Sequence, residues 1–207
     1  MLCPYLFGRD KMNGWYFDIE SDGFYLQSKT IWYIKFKTLD NTRSMSVYPF
    51  KQDCKTKILE WINSFEDGAL VVQHNGLGFD TWMLWKFFNI QPRVGKKGKD
   101  WLGSKHVQFI DTLILSQYLQ PDSQSHSLAY LSSGNDNEKI DYRKHLIETG
   151  VMPKDSPKGF EFSFYNKYMD TYCDADVDAG ISVFNKLWKL AQEMYGVGNW
   201  IHPSFKQ

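Results

Sequence analysis

The chain has 207 residues, with 24 Lys plus Arg against 24 Asp plus Glu, 43% hydrophobic residues and 17% aromatic ones. That length suits one domain able to bury a core, and the apolar content excludes a disordered chain. No apolar run reaches membrane-spanning length, and "MLCPYLFGRDKMNG" has neither the basic start nor the sustained apolar stretch of a secretory signal. Cys3, Cys54 and Cys173 are too few and too scattered for a disulfide framework or a zinc site. A reducing, cytoplasmic setting is the expectation that follows. The even charge balance neither proposes nor excludes a nucleic-acid partner, although a constitutive binder is usually basic.

In chain order the pattern begins with three strands. "GWYFDIE" (14–20), "TIWYIKFKTL" (30–39) and "RSMSVYPF" (43–50) are joined by turns too short for crossover helices, which predicts an antiparallel meander. "KTKILEWINSF" (55–65) has apolar residues at helical spacing. "GALVVQHN" (68–75) reads as a buried strand and "TWMLWKFFNI" (81–90) as a helix. "HVQFIDTLILSQYL" (106–119) predicts a strand passing into a helix near Asp111 and Thr112. "SHSLAYL" (125–131) begins a short helix on a Ser cap. A last long helix is expected over 163–195. Strands alternating with helices after a meander indicate one α/β layer structure with a mixed sheet. A single domain over 1–207 is expected, with an N-terminal extension at 1–13 and mobile loops at 91–105 and 150–160.

Acids stand where this pattern does not require them. In "WYFDIES", Asp18 and Glu20 lie two apart on a strand and so share a face, with Ile19 turned to the other side. Two close, desolvated carboxylates repel one another unless something positive offsets them, and a divalent metal is the usual partner. The plain alternative is a strand end with both acids in water. In "QHNGLGFDTW", Asp80 opens a helix, where an Asp is often only a dipole-friendly cap. Asn75, Gly76 and Gly78 fit a turn, or a place where a ligand approaches the backbone closely. In "YMDTYCDADVDAG", Asp176 stands one turn after Tyr172 and borders the apolar stripe through Cys173 and Val177. Asp174 and Asp178 fit a polar helix face. For Asp176 that reading competes with metal ligation. His126 fits a structural role, and the histidines at 74, 106, 145 and 202 show no metal-ligand spacing. No Gly-rich Lys-Ser/Thr loop exists, which excludes a P-loop nucleotidase.

"FDIES", "HNGLGFD" and "YCDADV" together resemble, in order, the three signature segments of the DEDD 3′–5′ exonuclease superfamily. "DYRKHL" and "FYNKYMDTYCDADV" are most similar to the proofreading domain of phage-type family A DNA polymerases. The likeness spans most of 14–195. It leaves unexplained the first thirteen residues and the Lys-rich loop at 96–99. The sister group carries a His five residues before the last Asp; Thr171 stands there, so the chain resembles the tyrosine type.

The resemblance implies an RNase H-like three-layer fold with a mixed five-stranded sheet flanked by helices. It also implies a two-metal phosphodiesterase acting on single-stranded DNA 3′ ends, a proofreading module for or associated with a polymerase. Asp18, Glu20, Asp80 and Asp176 would hold two Mg²⁺ or Mn²⁺ ions roughly 3.5–4 Å apart. By the same resemblance Asp18 bridges both ions, Glu20 and Asp176 serve the nucleophile side, and Asp80 serves the leaving-group side. Tyr172 would orient the attacking water. Phe24, Leu26 and Phe79 are candidate stacking surfaces, Asn75 a candidate contact to the strand, and Lys96, Lys97 and Lys99 candidate contacts to its backbone. Two other readings stand beside this one: an RNA-trimming enzyme of the RNase D kind, and a non-catalytic module that binds nucleic acid or a polymerase.

Overall fold

A computed structural model describes residues 12–95, 99–134, 137 and 139–195. Strands β1 (Gly14–Ser21), β2 (Ile31–Thr38) and β3 (Ser44–Val47) form the antiparallel meander that the short connections predict. Helix α1 (Lys55–Asn63) then carries the chain back, so that β4 (Ala69–Gln73) pairs parallel to β1. After α2 (Asp80–Phe88) come the short strands β5 (Pro92–Arg93) and β6 (Asp100–Leu102), then β7 (Lys105–Asp111), parallel to β4. Helices α3 (Thr112–Leu119), α4 (Leu128–Ser132), α5 (Tyr142–Glu148) and α6 (Tyr168–Tyr195) complete the described chain. The strand order is β3-β2-β1-β4-β7-β6-β5. The sequence placed the passage from β7 to α3 correctly: Asp111 caps α3, its side chain accepting the Leu113 N–H. Ser127 does the same for α4 through the Tyr130 N–H.

The sheet has seven strands rather than the expected five. The additional pair, β5 and β6, lies in the segment 91–105 that reads in sequence as a mobile loop. These strands are two and three residues long, too short for any alternation, and Pro, Gly and Lys surround them. The buried Asp100 carboxylate fixes them, accepting the N–H groups of Gly95 at 3.1 Å and Phe109 at 3.3 Å. The last helix also starts later than 163. The Asn166 side chain accepts the Tyr168 N–H at 3.1 Å, and such a local bond competes with helical bonding before it. The N-terminal extension falls outside the described residues up to position 11.

Two cores, one on each face of the sheet, decide which way the β1 side chains point. Trp15, Phe17 and Ile19 pack with Ile58, Trp61 and Ile62 of α1 and Met83 and Leu84 of α2. Tyr16 turns the other way and packs with Val177, Ile181 and Phe184 of α6 and Leu115 of α3. A strand covered on both faces becomes apolar throughout, and β1 is buried along nearly its whole length. By the same alternation the residues at 18 and 20 face α6. The long helix approaches β1 closely because Gly180 faces Tyr16; a Cβ there would lie 2.1 Å from the ring. A third small core of Tyr142, Leu146, Met152 and Met169 seats α5 against the start of α6. Among the described residues no helix is long and apolar enough to cross a membrane.

Candidate active site

The parallel strands β1, β4 and β7 end on one side of the sheet, where open α/β sheets place their ligands. Asp18 and Glu20 close β1, at a register shift between Glu20 and Ser21. Asp80 opens α2 and reaches back: its Oδ1 accepts the Ile19 N–H at 3.0 Å. Helix α6 brings Tyr172 and Asp176, one turn apart, over the same strand end. Cys173, between them, packs its Sγ 3.6 Å from Asp18 Oδ2 and donates to it. Asp18, Glu20, Asp80, Tyr172 and Asp176 line one cleft of about 460 Å³ together with Phe24, Leu26, His74, Asn75, Phe79 and Lys139. The structure thus brings together all five residues that the signature segments marked as catalytic, Asp18 and Asp176 being 158 positions apart in sequence.

Around the cleft the remaining predicted contacts divide. Phe24 and Leu26 sit on its rim, 82% and 83% exposed. Their loop is braced: Asp22 Oδ1 accepts from Ser28 Oγ, Lys29 N and Thr30 N, and Lys86 Nζ donates to the carbonyls of Tyr25 and Ser28. Asn75 is exposed in a left-handed turn (φ 60°), a conformation that Asn adopts readily. That turn is held by Asp111, whose carboxylate accepts the N–H groups of Asn75 at 2.9 Å and Leu77 at 3.3 Å. Lys99 is exposed near the sheet edge and does not line the cleft. Lys96 and Lys97 lie outside the described residues. Asp174 and Asp178 belong to the polar face expected of them, paired with Lys35 at 3.0 Å and Lys37 at 2.5 Å.

Sequence reasoning missed Lys139. Its ammonium donates to the Tyr172 hydroxyl at 2.7 Å and forms an ion pair with Asp176. It sits in "NDNEK", a charged stretch with no periodicity to set one residue apart. Tyr172 is further fixed by its ring, which stacks on Tyr142 at 4.7 Å and 20°.

The electrostatics are those of carboxylates crowded out of water. Burial raises Asp18 to about 6, with the charge of Asp176 adding to the rise and Lys139 opposing it. Glu20 and Asp80 are pushed well above the usual carboxylate range, by burial first and by Asp18 second. Asp176 is also raised by burial, against the pull of Lys139 and the Tyr172 hydroxyl. Burial and the neighbouring acids keep the Tyr172 phenol protonated at any ordinary pH, and the Cys173 thiol is raised in the same way.

A divalent cation would relieve this. Ligand atoms of Asp18, Glu20 and Cys173 lie within 4.8 Å of one another, and the buried Asp176 Oδ1 has no hydrogen-bond partner among the described residues. The carboxylate oxygens of the four acids suit hard cations such as Mg²⁺ or Mn²⁺. The thiol, held protonated, acts as a donor to Asp18 rather than as a ligand. The residues fit the group.

No protein-family model and no curated protein sequence matches the chain. Solved structures do share its fold over nearly its whole length. Brucella melitensis NrnC with bound Mg²⁺ is 12% identical, with 93% of this chain and 78% of that one covered and a TM-score of 0.53. The family B DNA polymerase from the hyperthermophilic archaeon Pyrobaculum calidifontis is 15% identical over 91% of this chain and 26% of that one, with a TM-score of 0.56. The catalytic core of RRP6 from Trypanosoma brucei is 19% identical over 91% of this chain and 44% of that one, with a TM-score of 0.54. The fold is that of the RNase H-like nucleases. At these identities the likeness is one of architecture, and the activity has to be argued from the cleft.

Proposed function

We propose that the chain is a metal-dependent 3′–5′ exonuclease of the DEDD superfamily, tyrosine type, which releases nucleoside monophosphates from single-stranded 3′ ends. The observation that carries this is the convergence of Asp18, Glu20, Asp80, Asp176 and Tyr172 on one cleft, their carboxyl groups shifted by burial and mutual repulsion. When bound there, two divalent cations supply a lowered pKa for water and stabilisation of charge on the leaving 3′-oxygen. Asp18, Glu20, Asp80 and Asp176 would hold them.

The chain's own residues do the rest. Water attacks the terminal phosphorus and the P–O3′ bond breaks, leaving the phosphate on the departing nucleotide. Tyr172 keeps its proton, so it orients the attacking water and does not act as base. Lys139 fixes the phenol and Asp176 in mutual register. Phe24 and Leu26 separate the terminal base from its neighbour in this reading, a base stacked on the Phe24 ring being worth about 1–3 kcal/mol. Asn75 and Phe79, which line the same cleft, supply further contacts to the strand.

DNA ends and a role in proofreading beside a polymerase are the first substrate reading. RNA trimming is the second, and the comparable likeness of fold to RRP6 and to the polymerase supports keeping both. Degradation of 5′-labelled DNA and RNA of one sequence with Mg²⁺ or Mn²⁺ tests the proposal and separates these substrates. Stepwise shortening from the 3′ end is expected, and Asp18→Ala should abolish it while the fold survives. Undiminished digestion by that variant would place the chemistry elsewhere.

A further inference from the structure

His74 lines the cleft beside Asn75, yet the reaction outlined above gives it no part. Its hydrogen bonds specify which ring nitrogen carries the proton. Nδ1 lies 2.9 Å from Thr112 Oγ1, and Thr112 is fully buried. The Thr112 hydroxyl has a single proton, which it donates to the Gln73 carbonyl at 3.0 Å. With that proton assigned to the Gln73 carbonyl, the oxygen accepts from His74 and Nδ1 is the donor. A neutral ring protonated at Nδ1 has a bare Nε2. The ring is kept neutral: burial, and then the nearby Lys139 charge, lower its pKa to about 4. Nδ1 is tied to the start of α3 and through it to the end of β4, which leaves the Nε2 edge of the ring for the cleft that His74 lines. No hydrogen bond to Nε2 is made among the described residues.

A bare imidazole nitrogen selects its ligand by chemistry. A phosphate oxygen has no proton to offer at neutral pH and is an acceptor too. Base amino groups differ from one nucleotide to the next, and some bases have none. A sugar hydroxyl is the donor common to every 3′-terminal nucleotide. Resting on the exonuclease reading, we infer that His74 Nε2 accepts a hydrogen bond from a hydroxyl of the terminal sugar. It thereby distinguishes a proper end from one that lacks the hydroxyl. The 3′-hydroxyl is common to DNA and RNA, whereas the 2′-hydroxyl would make His74 a determinant of RNA preference.

Two measurements test this. In the metal-free protein, nitrogen NMR of the imidazole, assigned with His74→Gln, should find Nδ1 protonated and Nε2 bare across the neutral range. An Nε2-protonated ring would overturn the inference without reference to any activity. Single-turnover trimming is then compared on strands ending in ribo, 2′-deoxy, 3′-deoxy and 2′,3′-dideoxy nucleotides. Loss of the recognised hydroxyl should lower kcat/KM about 2- to 10-fold, the worth of one neutral hydrogen bond. His74→Leu, checked for an unchanged melting transition, should process all four ends alike. Wild-type indifference to the terminal hydroxyls would overturn the inference, as would a His74→Leu defect equal for every end. If a variant fails to fold, the wild-type series and the spectrum still decide. Should wild-type protein shorten no strand with either metal, the exonuclease reading fails and this inference with it, whichever tautomer the spectrum gives.

Discussion

At the scale of single residues, the cleft is a problem in charge, and Lys139 is its internal answer. The ammonium touches both Asp176 and the Tyr172 hydroxyl, so removing it leaves a buried carboxylate unpaired and a phenol free to turn. Lys139→Met should therefore lower kcat on the order of 10- to 100-fold, as misplacement of a reacting group does, while KM for the strand changes little. The acid limb of the pH–rate profile should move to higher pH as Asp176 loses its counter-charge, and Lys139→Arg should recover part of the loss. A role confined to folding would leave the profile in place. The acids were legible only in combination: at a strand end, a helix start and a polar helix face each has a plain reading, and the order of the three segments is what set them apart. Tyr172 was legible through its spacing from Asp176. Lys139 was not, because a long flexible cation in an irregular charged stretch has no pattern that says what it will reach.

At the scale of elements, the precision of the cleft depends on how closely α6 can approach β1. Gly180 makes that contact possible, its backbone lying against the Tyr16 ring. Gly180→Val should cost about 1–3 kcal/mol through overpacking, lowering the melting temperature by roughly 2–12 °C. A matched exposed change on the same helix, Lys189→Val, should have a much smaller effect on calorimetry. If Gly180→Val melts with wild type, the helix has room that the structure denies it. The meander and the β7–α3 passage could be read from sequence because alternation, short turns and capping Asp or Ser residues are local signals. Strands β5 and β6 escaped because tertiary anchoring by Asp100 makes them, and a two-residue strand has no period of its own.

At the scale of the whole molecule, the cleft works against stability when no metal is present. Asp18, Glu20 and Asp80 hold protons more tightly when folded than when unfolded. Below about pH 4 both states are protonated. As pH rises from there through about 6, the value for Asp18, the unfolded chain has shed protons that the folded one must still release. Their contribution is therefore greatest at the acid end and is lost as pH rises. The melting temperature of chelator-treated protein should fall across that window less steeply in Asp18→Asn than in wild type. At neutral pH, Mg²⁺ or Mn²⁺ should raise the wild-type transition by a few degrees and leave Asp18→Asn nearly unmoved. An equal metal response from the variant would mean that the cation binds elsewhere.

The rim loop carries one more implication. Phe24 and Leu26 project into solvent from a segment tied at five points by Asp22 and Lys86, so this wall is rigid before any strand arrives. Adaptation then falls to the visitor. On the exonuclease proposed above, a polymer that frays and kinks easily at its tip would fit such an unyielding mouth, and a stiff, well-paired one would be turned away by its own rigidity.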